Sequence, residues 1–298
     1  MQTQNFQQVK VGKMLPVDYV RHIVAKGGPV CSEFKKLQQA INAIRSKEDI
    51  IELNIVLHAH LTLDTMMGHT YLKPYGYAGD FEIIEKIYAQ KRHSNPVIDA
   101  WDQFYQSFDS CDAVRNRKIY FKEVMVNALG SGVKNVLILG SGPCMDLFEY
   151  LTENPDNTLH FTCVDIDETA IKYASQKNAA FMNNISFVNR NIFRYNTSDN
   201  YDLIWSAGLF DYLNDDQFVF IIKKMQAFLS ESGTMIIGNF SENNPSQYCM
   251  EVIGDWYLNH RSPALLTELG VRAGFELNDI HVEQEELGIN LFVHYQKN

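Results

Sequence analysis

The residues best suited to bind a ligand lie in a short turn near the middle of the chain. A hydrophobic run, residues 136–139, leads directly into Gly140, Ser141 and Gly142, and a helical pattern follows. Glycines let the backbone turn tightly and approach a ligand, and in an open α/β sheet this first turn lies where nucleotides bind. Asp165 ends a second strand candidate, where its carboxylate can accept hydrogen bonds from a pair of ribose hydroxyls. The pattern predicts a site for a nucleotide-like ligand.

Two kinds of nucleotide ligand compete for this turn, and a tight turn without a ligand is a third interpretation. A dinucleotide fingerprint requires a third glycine where the helix packs on the strand, but this chain has Met145 there. The same turn without that glycine suits S-adenosylmethionine, whose amino acid end takes the place of the phosphates. Asp165 can instead cap a helix, although Asp167, directly before the next helical segment, suits that role better.

The ligand turn belongs to an alternating pattern of strands and helices that starts near residue 133. Short apolar runs alternate with amphipathic helices, which indicates a parallel sheet with crossover helices. The strand candidates are residues 135–139, 159–164, 185–188, 201–206 and 234–238. Two further runs, 275–282 and 290–295, are joined by a polar, glycine-containing connection, which predicts an antiparallel hairpin at the sheet edge. We therefore predict a helical N-terminal domain, residues 1–132, before an α/β domain, residues 133–298.

Composition and charge exclude several classes of protein. Of the 298 residues, 46% are hydrophobic and 21% are charged, which is typical of a globular protein and argues against extensive disorder. A formal charge of −10 argues against nucleic acid and anionic membranes as partners. No apolar run reaches the ~18 residues that a membrane-spanning helix requires. Five scattered cysteines favour a reducing compartment, so we expect a cytoplasmic protein, with its oligomeric state left open.

Residues 133–298 resemble the class I S-adenosylmethionine-dependent methyltransferases. The resemblance implies a Rossmann-like sheet of seven strands with an antiparallel last strand, S-adenosylmethionine as the cofactor and S-adenosylhomocysteine as its product. The cofactor contacts that it implies are Gly140, Ser141 and Gly142 at the methionine portion, Asp165 at the ribose, Ile166, Asn191 and Ile192 at the adenine, and Ser206 and Gly208 near the methyl group. Many members carry an acid where this chain has Ile138, so part of the anchoring of the methionine end must come from elsewhere.

A second resemblance extends from about residue 55 to the end of the chain. Its motifs are residues 73–80 (KPYGYAGD), 115–117 (RNR), 208–213 (GLFDYL), 238–240 (GNF) and 255–261 (DWYLNHR). They resemble a bacterial methyltransferase group with a helical N-terminal domain. That group includes proteins described as making hydroxy-fatty-acid methyl esters, and it is similar to enzymes that esterify peptide C-termini in natural-product pathways.

The same motifs supply candidate contacts in and around the loop of residues 73–80. Tyr71 and Tyr77 can contact the acceptor and the cationic sulfonium ligand respectively, or fill a seam between domains. Arg117 can clamp the cofactor carboxylate or lie on a solvated helix face. Arg261 can hold a substrate carboxylate or be an ordinary surface cation. The motifs also place Tyr212 and Asn239 among the substrate contacts.

The choice of methyl acceptor depends on whether the site contains a general base. A carboxylate, with a pKa near ~4, is already ionised at neutral pH, whereas an amine or phenol usually needs deprotonation. The candidate bases are Asp211 and His60, and Asp211 can instead cap the next helix. No histidine lies between His160 and His260, and no group of residues has metal-ligand spacing, so we predict no metal.

We therefore predict an O-methyltransferase that acts on a carboxylate of a small acid, a lipid acid or a peptide C-terminus. The alternatives are an N- or hydroxyl-O-methyltransferase acting on a small molecule, and a non-catalytic module that senses the cofactor.

Overall fold

The computed structural model describes residues 14–297. The described residues form two compact units: a helical unit of residues 14–111 with 245–257, and an α/β unit of residues 112–244 with 258–297. The α/β unit thus begins before the predicted boundary at 133, inside a long helix. Phe121 and Met125 of that helix are fully buried in the core beside the sheet, so the helix packs as part of the α/β unit.

The helices and strands of the described residues follow one another along both units. In chain order the helices are α1 (Pro16–Ala25), α2 (Phe34–Ala43), α3 (Lys47–Leu57), α4 (Met66–Leu72), α5 (Phe81–Ala89), α6 (Pro96–Gln106), α7 (Asp109–Gly130), α8 (Met145–Glu153), α9 (Glu168–Lys177), α10 (Asp215–Gln226), α11 (Gln247–Gly254) and α12 (Pro263–Ala273). The strands are β1 (Asn135–Leu139), β2 (His160–Asp165), β3 (Ile185–Asn189), β4 (Tyr201–Ser206), β5 (Leu229–Phe240), β6 (Ile280–Gln284) and β7 (Asn290–Gln296).

The loop of residues 73–80 has an internal structural role in the helical unit. Asp80 caps helix α5 by accepting hydrogen bonds from the backbone N–H groups of Glu82 and Ile83, each at 3.0 Å. The two oxygens of the same carboxylate lie 3.0 and 2.8 Å from Nε2 of His69 in helix α4. Both side chains are fully buried. Asp80, the last residue of the motif, therefore joins helices α4 and α5. These hydrogen bonds stabilise the buried carboxylate, because it has lost its contacts with water.

The sheet has the order β3-β2-β1-β4-β5-β7-β6. Strands β1 to β5 are parallel, and β7 pairs antiparallel with both β5 and β6. The predicted hairpin forms, although its first strand starts at Ile280 because residues 277–279 form a short 3-10 turn. The prediction of a Rossmann-like sheet with an antiparallel last strand, preceded by helices, is confirmed.

The hydrophobic core of the α/β unit covers both faces of the sheet. Strand β1 shows the alternation, since Leu137 and Leu139 face one cluster while Val136 and Ile138 face the other. Helices α10 and α12 pack on the first face, and α7, α8 and α9 pack on the second. Because both faces are covered, ligands can reach the parallel strands only at their ends. In open α/β sheets the ligand site lies at the carboxyl-terminal ends of the strands. None of the helices within residues 14–297 combines the length and the apolar content that are needed to cross a bilayer.

Candidate functional site

The glycine turn after strand β1 leaves open space for a ligand. Gly140 and Gly142 have φ angles of +62° and +54°, in the left-handed region that favours glycine. A Cβ placed on Gly140 would lie 2.8 Å from the Leu209 side chain, whereas one on Gly142 would meet no atom within 4 Å. The buried hydroxyl of Ser141 has no hydrogen-bond partner within residues 14–297. An open backbone and an unsatisfied hydroxyl fit a polar ligand at this turn.

Asp165 joins the end of strand β2 to this turn. Its carboxylate oxygens accept hydrogen bonds from the N–H groups of Gly142 and Asp167, at 2.8 and 2.9 Å. Burial raises the pKa of Asp165, and these backbone hydrogen bonds oppose that effect. Each oxygen keeps a further lone pair, so the carboxylate can also accept from ligand hydroxyls. The next residue, Ile166, is 63% exposed, so its side chain is accessible to an apolar ring.

Asn191 and Ile192, which follow strand β3, differ in their exposure. The Asn191 side-chain oxygen accepts a hydrogen bond from the Phe193 N–H at 2.8 Å, which forms a local turn. Ile192 is only 7% exposed and packs in the core cluster that contains Leu139 and Phe210. The predicted contact of Asn191 with the adenine stays a prediction, and Ile192 retains little surface for any ligand.

The end of strand β4 brings a buried charge cluster together. The Ser206 hydroxyl is fully buried and donates to the Leu139 carbonyl at 3.0 Å, so it links β4 to β1. A Cβ placed on Gly208 would lie 2.6 Å from Nη1 of Arg117 and 3.4 Å from a carboxylate oxygen of Asp211. Arg117 is 6% exposed, which rules out the alternative of a solvated helix face. Glycine at 208 therefore lets the guanidinium approach the strand end.

Asp146 in the first turn of helix α8 belongs to the same charge cluster, and sequence reasoning missed it as a functional residue. Desolvation raises the pKa of its carboxyl group, while the positive charge of Arg117 lowers it. An acid in the first turn of the helix after the glycine turn was the available signal. Arg117 and Asp146 therefore interact electrostatically, and the predicted role of Arg117 in holding the cofactor carboxylate stays a prediction.

Asp211 lies deep in the α/β unit rather than on its surface. It is 1% exposed, and its carboxylate accepts a hydrogen bond from the Phe240 N–H at 2.7 Å. Burial raises the pKa of Asp211 to about 7, against the opposing effects of that hydrogen bond and of the charges on Arg117 and Arg261. Helix α10 is capped by Asn214, so the alternative that Asp211 caps the next helix is wrong.

Arg261 and Asn239 form a buried hydrogen-bond network. Arg261 is 1% exposed and Asn239 is fully buried. The guanidinium donates to the carboxylate of Asp215 at 3.0 Å and to the Asn239 side-chain oxygen at 2.6 Å. It also donates to the carbonyls of Phe210 and Leu213, at 3.1 and 2.5 Å. This burial shows that the alternative of a surface cation is wrong for Arg261. The roles of Arg261 and Asn239 as substrate contacts stay predictions.

The remaining predicted residues lie at more accessible positions. Tyr212 of the α/β unit is 38% exposed. In the helical unit Tyr71 is 39% exposed and Tyr77 is partly buried. The ring of His60, in the same unit, packs beside Trp101, with the two ring centroids 5.0 Å apart. Desolvation lowers the pKa of His60. The roles assigned to Tyr71, Tyr77, Tyr212 and His60 stay predictions.

Comparisons with known proteins identify the fold of this arrangement. Residues 136–233 match the family model of a methyltransferase domain. A possible exported protein from Bordetella parapertussis aligns with a TM-score of 0.62 at 16% identity, over 95% of this chain and 94% of that chain. The α/β unit has the methyltransferase fold. The domain match confirms the prediction of an enzyme that transfers methyl groups.

Two further solved structures are similar to this chain. Magnesium protoporphyrin IX methyltransferase from Synechocystis PCC 6803, with bound S-adenosylhomocysteine, aligns with a TM-score of 0.56 at 13% identity, over 79% of this chain and 100% of that chain. An O-methyltransferase candidate from Nostoc punctiforme PCC 73102 aligns with a TM-score of 0.55 at 11% identity, over 95% and 94%. A sequence comparison with curated proteins finds no match. The predicted cytoplasmic location stays a prediction.

Proposed function

We propose that the protein is an S-adenosylmethionine-dependent O-methyltransferase that converts a carboxylate to its methyl ester. The cofactor supplies an electrophilic methyl group, and the protein aligns the acceptor and excludes water. The Asp165 carboxylate and the exposed Ile166 would hold the nucleoside end of the cofactor, and the glycine turn would contact its methionine portion. Arg117 with Asp146 would hold its amino acid end. The similar structure from Synechocystis contains S-adenosylhomocysteine, which supports this choice of cofactor.

The observation that supports a carboxylate acceptor is the state of two titratable side chains near the ends of strands β4 and β5, the buried Asp211 and the partly buried His260. Asp211 is 1% exposed. In the His260 ring, Nε2 lies 3.1 Å from the Asn244 amide nitrogen and Nδ1 lies 3.2 Å from the Leu258 carbonyl. A general base must reach the proton that it removes. The burial of Asp211 and the hydrogen-bond partners of both His260 ring nitrogens disfavour either side chain as that base. A carboxylate acceptor needs no base, because it is ionised at neutral pH.

The test of this proposal is whether the methylated product is an ester that alkali can hydrolyse. The full chain is incubated with methyl-labelled S-adenosylmethionine and a panel of fatty acids, hydroxy fatty acids, small acids and peptides with free C-termini. We expect label that mild alkali releases as methanol, and no label on the matched carboxamides. Label that survives alkali would support methylation of nitrogen or a hydroxyl group instead. Tight cofactor binding without turnover on any acceptor would support a sensing module.

Replacing Asp165 by alanine should weaken the binding of S-adenosylhomocysteine by roughly 5- to 150-fold. The expected loss is about 1–3 kcal/mol, because the ribose hydroxyls lose a charged acceptor. Isothermal titration calorimetry measures this change. Asp167→Ala is the matched control, since Asp167 caps helix α9 through the N–H groups of Thr169 and Ala170, at 2.8 and 3.2 Å. Asp167→Ala should lose about 1 kcal/mol of stability and keep its affinity for S-adenosylhomocysteine. Equal affinities of the wild type and Asp165→Ala would show that the ribose lies elsewhere.

A further inference from the structure

The hairpin of strands β6 and β7 places three side chains with metal-binding atoms on one face. His281 lies directly opposite His294 in the antiparallel register. Glu283 follows His281 by two positions, so its side chain points to the same face of the sheet. Nε2 of His281 lies 3.6 Å from one Glu283 oxygen, and Nε2 of His294 lies 3.7 Å from the other. The ligand atoms of the three side chains all lie within 4.8 Å of one another.

These separations are close to those around a tetrahedral metal ion. Zinc bonds of about 2.0–2.1 Å to histidine nitrogen and carboxylate oxygen place neighbouring ligand atoms about 3.3–3.4 Å apart in a tetrahedron. The distances of 3.6 and 3.7 Å therefore need only small side-chain rotations to enclose an ion. The two imidazole rings, with centroids 4.2 Å apart and planes inclined by 25°, would splay slightly to do so.

The surroundings provide both an outer hydrogen-bond partner and an open side. The hydroxyl of Tyr120 in helix α7 donates to Glu283 and lies 2.8 Å from Nε2 of His294. Its hydrogen bond to Glu283 is of the kind that orients carboxylate ligands in natural metal sites. Its contact with Nε2 of His294 would give way to the ion, because that nitrogen would bind the metal. The His294 side chain is 11% exposed, whereas those of Glu283 and His281 are 50% and 61% exposed. A fourth ligand, such as water, can therefore approach from solvent.

A cleft of about 560 Å³ adjoins two of the three side chains, Glu283 and His294, and its charge favours a cation. Tyr120, Glu283 and His294 contribute to its wall. The other ionisable residues in the wall are Glu123, Asp202 and Glu231, and the described wall contains no lysine or arginine. Concave acidic surfaces of this kind raise the local concentration of cations. The cleft lies at the amino-terminal ends of strands β4 and β5, at the opposite edge of the sheet from the glycine turn.

We propose that His281, Glu283 and His294 bind a divalent transition-metal ion of the zinc class. Two imidazoles and one carboxylate select such an ion over magnesium or calcium, which prefer oxygen ligands throughout. The ion would cross-link the two strands of the hairpin at the sheet edge, and through Tyr120 it would tie them to helix α7. It lies outside the methyl-transfer site and does not depend on the proposed function. The proposal departs from the sequence-based expectation that the protein holds no metal.

The test measures metal binding on the full chain after treatment with a chelator. We expect one equivalent of Zn²⁺ to bind in calorimetry, and Co²⁺ to give the visible absorption bands of a tetrahedral site. Zinc should also raise the unfolding temperature of the wild type. His281→Ala and Glu283→Gln change exposed side chains, so they should fold normally and weaken zinc binding by at least about tenfold.

His160→Ala is the matched control, because His160 is an exposed histidine of strand β2 in the same unit, outside the cluster. It should bind zinc as the wild type does. S-adenosylhomocysteine should bind the cluster variants with unchanged affinity, which separates this test from the methyl-transfer proposal. The absence of stoichiometric binding would overturn the metal site. Equal zinc affinity of the wild type and Glu283→Gln would do the same.

Discussion

Replacing Arg261 by alanine should destabilise the α/β unit by about 3–5 kcal/mol, which corresponds to a fall of roughly 6–20 °C in unfolding temperature. The guanidinium is 1% exposed and holds the Asn239 side chain and two main-chain carbonyls, those of Phe210 and Leu213. The substitution leaves these buried acceptors without a donor, and each such loss costs about 1–3 kcal/mol. Chemical denaturation of the purified chain measures the change in the free energy of unfolding.

Two further arginine variants show whether burial is the cause. Arg272 forms an ion pair with Asp216 at 2.8 Å, but their side chains are 41% and 93% exposed. Arg272→Ala should therefore cost less than about 1 kcal/mol. Arg261→Lys should recover only part of the loss, since an ammonium group cannot reproduce the planar fork of donors. An unchanged unfolding temperature of Arg261→Ala, with a raised KM for the acceptor, would contradict the structural role and support the predicted substrate contact.

Replacing Asp211 by asparagine should remove a pH dependence from the stability of the protein. The pKa of Asp211 is about 7 in the folded chain, whereas its ordinary value is 3.8. Between these values the folded carboxyl group keeps a proton that the unfolded chain has lost, so rising pH destabilises the fold. The loss is about 1.4 kcal/mol per pH unit across this window and reaches about 4 kcal/mol above pH 7. The asparagine variant should therefore gain stability relative to the wild type as the pH rises from 5 to 8.

Urea unfolding of the wild type and Asp211→Asn at several pH values measures this difference. Asp202→Asn is a control of opposite sign. Burial raises the pKa of Asp202, but hydrogen bonds from the N–H groups of Asn135 and Lys134 and from the Ser230 hydroxyl outweigh it and lower the pKa below its ordinary value. That carboxylate stabilises the fold above its ordinary pKa and loses the contribution as the pH falls. Identical pH profiles of the wild type and Asp211→Asn would contradict a raised pKa.

The same variant separates the two enzymatic interpretations. A general base contributes typically 10²–10⁴-fold to the rate, so its removal would be severe. With a carboxylate acceptor, Asp211→Asn should lower kcat by less than about tenfold, because no proton leaves the acceptor in the transfer step. The amide oxygen can still accept the hydrogen bond from Phe240, which preserves the local structure. A loss of a hundredfold or more, with an unchanged unfolding temperature at pH 6, would assign Asp211 a catalytic role.

The order of residue types was sufficient to predict the features that depend on local patterns. Glycine at 140 and 142 marks a backbone turn, and alternating apolar runs mark buried strands, because both effects act over a few residues. The order of strands and helices, together with the polar connection before Asn290, was enough to predict the parallel sheet and its antiparallel last strand. The predicted domain boundary at residue 133 lies after the start of the compact α/β unit at residue 112. The sequence could not place that start, since an amphipathic helix such as α7 has the same periodicity whichever unit it packs against.

The burial of polar residues and their pairing across the sheet follow from the three-dimensional fold and were not predicted. Arg261 and Tyr212 both stand in motifs that predict substrate contacts, yet one is enclosed by acceptors and the other is 38% exposed. The raised pKa of Asp211 depends on that enclosure as well. His281 and His294 become neighbours only through the register of strands β6 and β7. Burial and cross-strand pairing depend on residues that are distant along the chain. A local pattern of residue types therefore cannot predict either of them.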